Sequence, residues 1–267
     1  MCSIVGFIAR QNCGPNLWRL RKAILANEIR GDDAHGMAWV DANGRFNVYK
    51  RPGSFKDHLH VLNAVANARV VICHMRKTTQ GPEEHNINNH PHPCDGGWFI
   101  HNGIISNYSD LLKKWGLMPS SECDSEVIGL ITGRLNKGHA FQWQDAINEV
   151  AIDDRLAIMA IYNRPCRLVV AKRGNPLSWW KSAEGFYFGS LGNGFPHRGR
   201  EFRDNQIAEY SWTRKGGCKR VRTVALKPYT PSYSYQTGTG YSRCRTGSRY
   251  GYGGYSTYCT GGSSSVS

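Results

Sequence analysis

The sequence predicts an α+β protein in which β-sheets pack on each other and helices cover the outside. Alternating segments rich in β-branched residues lie in both halves of the chain, whereas helical periodicity falls near the start and in the middle. Grouped strands and helices are typical of layered folds. With 267 residues, the chain can bury one large core without disulfide bonds.

The first half of the chain is predicted to be mostly β-structure with one helix laid on it. Residues 2–9 (CSIVGFIA) alternate in polarity and begin as a strand at the terminus. An amphipathic helix covers residues 16–31, because Pro15 and Asn16 can open it and Gly31 can end it. Further strands are predicted at residues 35–41, 45–51, 68–76 and 97–105.

The second half is predicted to contain three helices followed by a second block of strands. The helices are expected at residues 107–116, 124–138 and 139–151. The strands are expected at residues 155–163, 167–174, 177–182, 185–190 and 219–228.

From Pro228 the chain changes composition, so we divide it into a folded domain at 1–227 and a tail at 228–267. The tail holds eight Tyr, eight Gly and nine Ser, and it has no Asp or Glu. Such a segment buries too little apolar surface to offset the entropy of ordering it. A disordered, basic tail is therefore predicted.

The net charge of +14 is concentrated in the C-terminal part of the chain. Through Asn163 there are 17 Lys and Arg against 16 Asp and Glu; beyond it there are 17 against 4. Tyrosine also alternates with arginine at residues 240–255, which pairs stacking faces with phosphate-seeking charges. The tail is interpreted either as a contact for nucleic acid or an acidic partner, or as a solubilising segment.

The cysteine pattern and the lack of targeting segments predict a cytoplasmic protein that is not bound to a membrane. The start has no basic region and no long apolar core, and the nine cysteines contain no CxxC pair. His85, His90, His92 and Cys94 lie close in sequence, but their spacing matches no familiar zinc pattern. We therefore expect neither a metal nor another cofactor.

Cys2 is the first candidate for chemistry. If Met1 is removed, Cys2 carries a thiol and a free α-amine on one carbon, and that amine, with a pKa of about 7.7 to 8.0, can act as the base for the thiol. The alternative is that Cys2 is merely a small residue at the start of a strand.

Downstream loops supply the groups that amide hydrolysis at this thiol requires. Asn102 and Gly103 follow a strand, where a side-chain amide and a backbone N–H can stabilise an oxyanion. Arg76 offers a planar fork for a carboxylate, with Thr79 close by, and Asp124 can hold an ammonium group. Alternatively, Arg76 is a surface charge, Asp124 caps a helix and the Asn-Gly pair forms a turn.

Several motifs in order resemble the glutaminase domain of class II glutamine amidotransferases, which belong to the N-terminal-nucleophile hydrolases. The similarity is strongest to the domain of glucosamine-6-phosphate synthase and extends from Cys2 to about Asp124. The matching segments are RGDDAHG (30–36), HMRKTTQG (74–81), NNHPH (88–92), HNGIISNY (101–108) and CDSEV (123–127). The resemblance implies a four-layer αββα sandwich of two mainly antiparallel sheets.

The resemblance also implies a reaction and a role for each residue. Cys2 would attack the side-chain amide of L-glutamine, with Asn102 and Gly103 as the oxyanion hole, and the thioester would be hydrolysed to glutamate after ammonia leaves. The remaining implied roles are glutamine binding by Arg76, Thr79 and Asp124, support of the site by Arg30, and structural roles for His74, His90 and His101.

The sequence departs from the family pattern at individual residues and in its domain organisation, and both kinds of departure leave alternatives open. Lys77 and Gln80 stand where tryptophan and histidine are usual, and Ser3 replaces the usual glycine after the nucleophile. No acceptor domain follows residue 227 in this sequence. The chain is therefore expected to deliver ammonia to a separate acceptor or synthetase chain, to hydrolyse another γ-glutamyl amide by itself, or to be a noncatalytic binding protein that works through its tail.

Overall fold

The computed structural model describes residues 1–135 and 137–231. Most of the predicted tail, residues 232–267, lies outside this part of the chain, so its predicted disorder and its nucleic-acid contact stay predictions. The backbone N–H of Thr230 still donates a hydrogen bond of 3.0 Å to Ile152 O. None of the described helices combines the length and apolar character needed to cross a membrane.

The described residues form thirteen strands and four α-helices. The strands are β1 (Ser3–Ala9), β2 (Ala34–Val40), β3 (Phe46–Pro52), β4 (Val70–Arg76), β5 (His92–Cys94), β6 (Gly97–Gly103), β7 (Leu156–Asn163), β8 (Cys166–Arg173), β9 (Ser178–Lys181), β10 (Gly185–Gly189), β11 (Arg200–Glu201), β12 (Gln206–Thr213) and β13 (Gly217–Ala225). The α-helices are α1 (Leu17–Glu28), α2 (Tyr108–Trp115), α3 (Glu126–Thr132) and α4 (His139–Glu149). The 3₁₀ segments are Phe55–Val65, Asn86–Asn88, Gly192–Gly194 and Pro196–Arg198.

The strands form two antiparallel sheets. The first has the order β11-β9-β10-β1-β4-β2-β3, and the second has the order β13-β12-β8-β7-β6-β5. Every pairing between named strands is antiparallel. The predicted α+β architecture is therefore confirmed.

The core between the two sheets follows from the alternation of side chains along each strand. Gly6 in β1 faces the second sheet, because a Cβ atom there would lie only 2.4 Å from the sulfur of Met159. Ile4 and Ile8 share the face of Gly6 and are fully buried. Phe7 points the other way, and its ring packs against Tyr187 at 4.9 Å.

Helices complete the outer layers on both sides. Tyr187 also accepts a hydrogen bond of 2.9 Å from the backbone N–H of Asn16, the N-cap of α1, which seats α1 on the first sheet. On the second sheet, Trp143 of α4 packs 5.3 Å from Phe99 and donates a 2.7 Å hydrogen bond to Tyr162. The result is the four-layer αββα sandwich expected from the resemblance.

Several elements differ from the sequence-based prediction. The strands β5, β11 and β12 and the 3₁₀ segments were not predicted, and α3 ends at Thr132 instead of residue 138. Gly133, which caps α3, ends the helix early.

The topology positions the candidate site at one end of the sandwich. Strand β1 lies in the middle of the first sheet, between β10 and β4, so Cys2 projects from the start of a central strand. Because Ser3 pairs with Met75, Cys2 lies beside the end of β4, where Lys77 begins the next loop. Asn102 and Gly103 end β6 in the facing sheet.

Candidate active site

Cys2 is held by contacts to its sulfur and to its carbonyl group. The thiol donates to Lys77 O at 3.5 Å, and the N–H of Lys77 lies 3.3 Å from the same sulfur. Arg30 Nε donates a 3.0 Å hydrogen bond to Cys2 O, and Arg30 Nη2 lies 3.4 Å from the sulfur of Met1. Met1 itself is 75% exposed. Arg30 thus lies where the sequence predicts a supporting residue.

Burial and neighbouring groups shift the pKa of the Cys2 thiol in opposite directions. Burial raises the pKa of the Cys2 thiol, whereas the backbone N–H of Lys77, the positive chain terminus and Arg76 lower that pKa. Asp124 acts in the opposite direction and raises the pKa of the thiol. A protonated thiol of this kind needs a base beside it to become a nucleophile.

A cavity of about 260 Å³ opens over the sulfur. Cys2, Thr79, Asn102 and Gly103 line this cavity, so the structure brings four of the predicted site residues together. The other lining residues were not predicted for the site: they are Met1, Ile104, Asp153, Asp154, Arg155 and Asn175.

Asn102 and Gly103 are tightly fixed at the floor of the cavity. Asn102 is 1% exposed, and its Nδ2 donates to Ser190 Oγ at 3.4 Å, which leaves its second amide hydrogen free. A Cβ atom on Gly103 would lie 2.4 Å from Arg155 O and 2.5 Å from the His101 ring, so only glycine fits at this position.

Asn175 holds the peptide bond between Asn102 and Gly103. Its Nδ2 donates to Asn102 O at 2.7 Å and to Arg155 O at 3.2 Å. Fixing the carbonyl of this peptide also fixes the direction of the Gly103 N–H. Asn175 was not predicted as a site residue, because it follows β8 outside the segments that match the family motifs.

Arg76 is 3% exposed and has no anionic partner among the described residues. Its Nη1 donates to Asn89 Oδ1 at 2.6 Å, and its Nη2 donates to Gly81 O at 2.8 Å and to Gln80 O. The guanidinium is thus held in place by neutral oxygen atoms, while its charge stays uncompensated.

Asp124 is also 3% exposed and forms no ion pair within the described chain. Its Oδ2 accepts a 2.6 Å hydrogen bond from the N–H of Ile105, and its Oδ1 lies 3.3 Å from Ser125 Oγ. Neither Asp124 nor Arg76 lines the cavity directly, although both charges influence the Cys2 thiol.

The side chain of Lys77 forms ion pairs that were not predicted from the sequence. Its Nζ lies 2.7 Å from Asp33 Oδ1 and 3.7 Å from Asp32 Oδ1, and Asp33 also accepts a 2.7 Å hydrogen bond from Thr78 N. Both aspartates belong to the RGDDAHG segment. They therefore fix Lys77, whose backbone contacts the Cys2 sulfur, and Asp33 also fixes the next residue, Thr78.

The buried histidines near the site are neutral. Burial lowers the pKa of His74 to about 3 and that of His101 to about 4. His74 Nε2 pairs with His101 O at 2.9 Å, and His101 Nδ1 pairs with Ser125 Oγ at 2.8 Å. These contacts link β4 to β6 and β6 to α3, as expected of structural residues.

Known proteins are similar to this chain in sequence. No family model matches the chain. The chain is 34% identical over 191 residues to a glutamine–fructose-6-phosphate aminotransferase (isomerizing) from Chlorobaculum tepidum, an alignment that covers 66% of this chain and 30% of the relative. It is 42% identical over 135 residues to the protein of that name from Symbiobacterium thermophilum, covering 48% of this chain and 21% of the relative. The chain thus spans less than a third of the length of these curated relatives.

Solved structures share the fold at low sequence identity. The glutamine phosphoribosylpyrophosphate amidotransferase from B. subtilis aligns with a TM-score of 0.66 and 18% identity, covering 83% of this chain and 49% of that one. A glutamine aminotransferase class-II domain protein from Silicibacter pomeroyi aligns with a TM-score of 0.55 and 15% identity, covering 85% and 100%.

Proposed function

Because the chain belongs to the class II glutamine amidotransferases, a family of enzymes, through its glutaminase domain, we propose that it hydrolyses the side-chain amide of L-glutamine. The observation that carries this proposal is the shared cavity of Cys2, Asn102 and Gly103. A nucleophile from one sheet and an oxyanion hole from the other meet there.

The first half of the reaction requires that Met1 be removed, so that the α-amine belongs to Cys2. That amine accepts the thiol proton while the sulfur attacks the amide carbon of glutamine. The free hydrogen of Asn102 Nδ2 and the N–H of Gly103 then stabilise the oxyanion. The carbon–nitrogen bond breaks, the α-amine returns the proton to the leaving nitrogen, and ammonia departs from a γ-glutamyl thioester.

The second half consumes water and restores the enzyme. The α-amine of Cys2 takes a proton from a water molecule as this water attacks the thioester carbonyl. The carbon–sulfur bond breaks, the sulfur recovers its proton and glutamate is released. The same two donors stabilise the second oxyanion.

The two uncompensated buried charges support glutamine as the substrate. Arg76 and Asp124 are each 3% exposed and lack ion-pair partners among the described residues. Burying an unpaired charge is costly, and an α-amino acid offers both missing partners at once. We assign the α-carboxylate to Arg76 and the α-ammonium group to Asp124, with Thr79 at the cavity wall.

The acceptor of the ammonia is proposed to be another chain or a further domain. This chain covers 30% of the Chlorobaculum tepidum relative, so most of that relative lies outside the alignment.

The seven cysteines in the described residues are all unpaired, which supports a reducing compartment such as the cytoplasm.

Another γ-glutamyl amide is the second candidate substrate. Lys77 and Gln80, two positions that differ from the usual family residues, flank the segment that brings Thr79 to the cavity wall. Their replacement can therefore alter how that segment closes over a longer leaving group. Ammonia release from glutamine and from γ-glutamyl amides, measured side by side, separates the two substrates.

The decisive experiment combines intact mass with activity. We expect a mass without Met1, glutaminase activity, and one covalent adduct from a glutamine-mimicking diazoketone. Cys2→Ala should lose both the adduct and the activity, whereas Cys13→Ala, at an exposed cysteine that does not line the cavity, should keep them. Undiminished activity of Cys2→Ala would contradict the proposal.

A further inference from the structure

Three ligating side chains from separate segments meet outside the cavity lined by Cys2. His90 and His92 lie at the entry to β5, and Cys123 lies in the loop before α3. Their ligating atoms all lie within 4.8 Å of one another, and all three residues are buried. This set differs from the one visible in the sequence, because His85 is exposed and the Cys94 thiol lies 3.8 Å from the Tyr162 hydroxyl.

The histidines of this cluster have unsatisfied nitrogen atoms. His90 is 3% exposed, and neither of its ring nitrogens has a hydrogen-bond partner among the described residues. Nε2 of His92, which is 2% exposed, also lacks a partner within the described chain. A buried polar atom without a partner costs about 1–3 kcal/mol, so a bound ion would stabilise these nitrogen atoms.

The donor set fits a zinc ion. Zinc binds imidazole nitrogen at about 2.0–2.1 Å and thiolate sulfur at about 2.3 Å, which places tetrahedral ligands about 3.5 Å apart. Side-chain shifts of about 1 Å bring the three ligand atoms to that separation. The fourth position is then left for a water molecule, and the thiol proton of Cys123 passes to solvent on binding.

Charges of both signs lie near the cluster. Lys50 and Arg76 act on His92 as nearby cations, Asp124 acts on Cys123 as a nearby anion, and Glu126 acts on Lys50. A divalent ion that is bound by one thiolate adds a single net positive charge beside the Asp124 carboxylate.

From this geometry we infer that His90, His92 and Cys123 bind one zinc ion. His90 follows Asn89, which holds the Arg76 guanidinium at 2.6 Å, and Cys123 precedes Asp124. The ion ties together the two segments that position the buried charged pair. This inference does not rest on the proposed glutaminase activity, because its ligands lie outside the reacting cavity.

Metal content of the full chain tests the inference without any measurement of activity. After expression with added zinc and extensive dialysis, we expect about one zinc ion per chain by mass spectrometry. Cobalt(II) in place of zinc should give a thiolate-to-metal charge-transfer band in the near ultraviolet. Cys123→Ser should lose both signals, and Cys13→Ser, at an exposed thiol outside the cluster, should keep both.

The wild-type protein decides the question even if Cys123→Ser folds poorly. If the folded wild-type chain binds neither zinc nor cobalt, ordered water satisfies the histidines and the inference is wrong. A cobalt spectrum without the charge-transfer band also overturns it, because Cys123 would then not be a ligand. The inference is also wrong if a Cys123→Ser protein, folded as judged by circular dichroism, keeps its full metal content.

Discussion

Asn175 Nδ2 donates a 2.7 Å hydrogen bond to the backbone oxygen of Asn102, from the loop that follows β8. This contact orients a peptide bond whose N–H group belongs to Gly103. The residue that orients the proposed oxyanion hole is therefore separated by 73 positions from Asn102.

We predict that Asn175→Ala lowers kcat about tenfold while KM for glutamine changes little. A donor that is misdirected stabilises the oxyanion less, but the ground-state contacts to substrate remain. Steady-state ammonia release checks this prediction. Asn163→Ala, which removes a comparable 3.1 Å side-chain contact to Gly44 O at a distant hairpin, should leave kcat unchanged.

Asn102→Ala is expected to have a larger effect, a loss of about 100- to 1,000-fold in kcat, because it removes an oxyanion donor directly. Diazoketone labelling of Cys2 provides a separate readout of an intact nucleophile. If the variant folds, carries no Met1 and still turns over glutamine at the wild-type rate, Asn102 is not a donor to the oxyanion.

The assignment of Asp124 predicts a selective change in substrate recognition. Asp124→Asn should raise KM for glutamine roughly 30-fold, since a hydrogen bond to a charged group contributes about 2 kcal/mol. It should hardly change the weak hydrolysis of a glutamine analogue that lacks the α-amino group. An equal loss with both substrates would show that Asp124 supports the fold rather than the ammonium group.

Asp33 gives a prediction for the pH dependence of stability. Burial raises the pKa of Asp33, but hydrogen bonds from Lys77 and Thr78 outweigh burial and place this pKa below its usual value. The stabilisation by the ionised form is complete above the unfolded pKa of about 3.9 and disappears as the pH falls through the folded value.

Urea unfolding of Asp33→Asn should therefore show a free energy of unfolding about 1 kcal/mol below that of the wild type near pH 7. The difference should shrink below about pH 4. Asp57→Asn, at an exposed carboxylate, controls for the change in net charge. A difference that stays constant down to the acid range would contradict the ionic role of Asp33.

Gly103→Ala should lower the melting temperature and abolish activity together. The added methyl group would lie 2.4 Å from Arg155 O, a backbone atom that cannot move aside cheaply. Gly133→Ala is a matched control, because its nearest neighbour would be 3.4 Å away. A similar melting temperature for both variants would show that the loop around Gly103 adapts.

The sequence predicted the layers of the fold better than the polar contacts that complete the site. Strands such as β1 and β7 have a strong local signal, because β-branched and apolar residues crowd into a few positions. Strand β12 carries Glu209 at a buried position, where the side chain lies 3.2 Å from Arg167 on the neighbouring strand. A buried carboxylate is stable when a cation pairs with it, and the sequence alone does not reveal this pairing between strands.

Some residues of the candidate site could be predicted from the sequence, and others could not. Asn102 and Gly103 lie within a recognisable motif, and so do Arg76 and Asp124. Asn175 and Ser190 are ordinary polar residues after strands, and only the folded chain brings them to Asn102. Asn175 reaches it within the second sheet, and Ser190 reaches it from the first sheet.

The hydrogen bond from Arg30 to the carbonyl of Cys2 has a consequence for the removal of Met1. Strand β1 pairs with β4 from Ser3 onward and with β10 from Val5 onward, and Arg30 anchors the residue that precedes the strand. The proposed cleavage after Met1 would therefore leave the anchored strand intact and remove a residue that is already exposed to solvent. In that mechanism, activation changes the functional groups at Cys2 without any rearrangement of the surrounding sandwich.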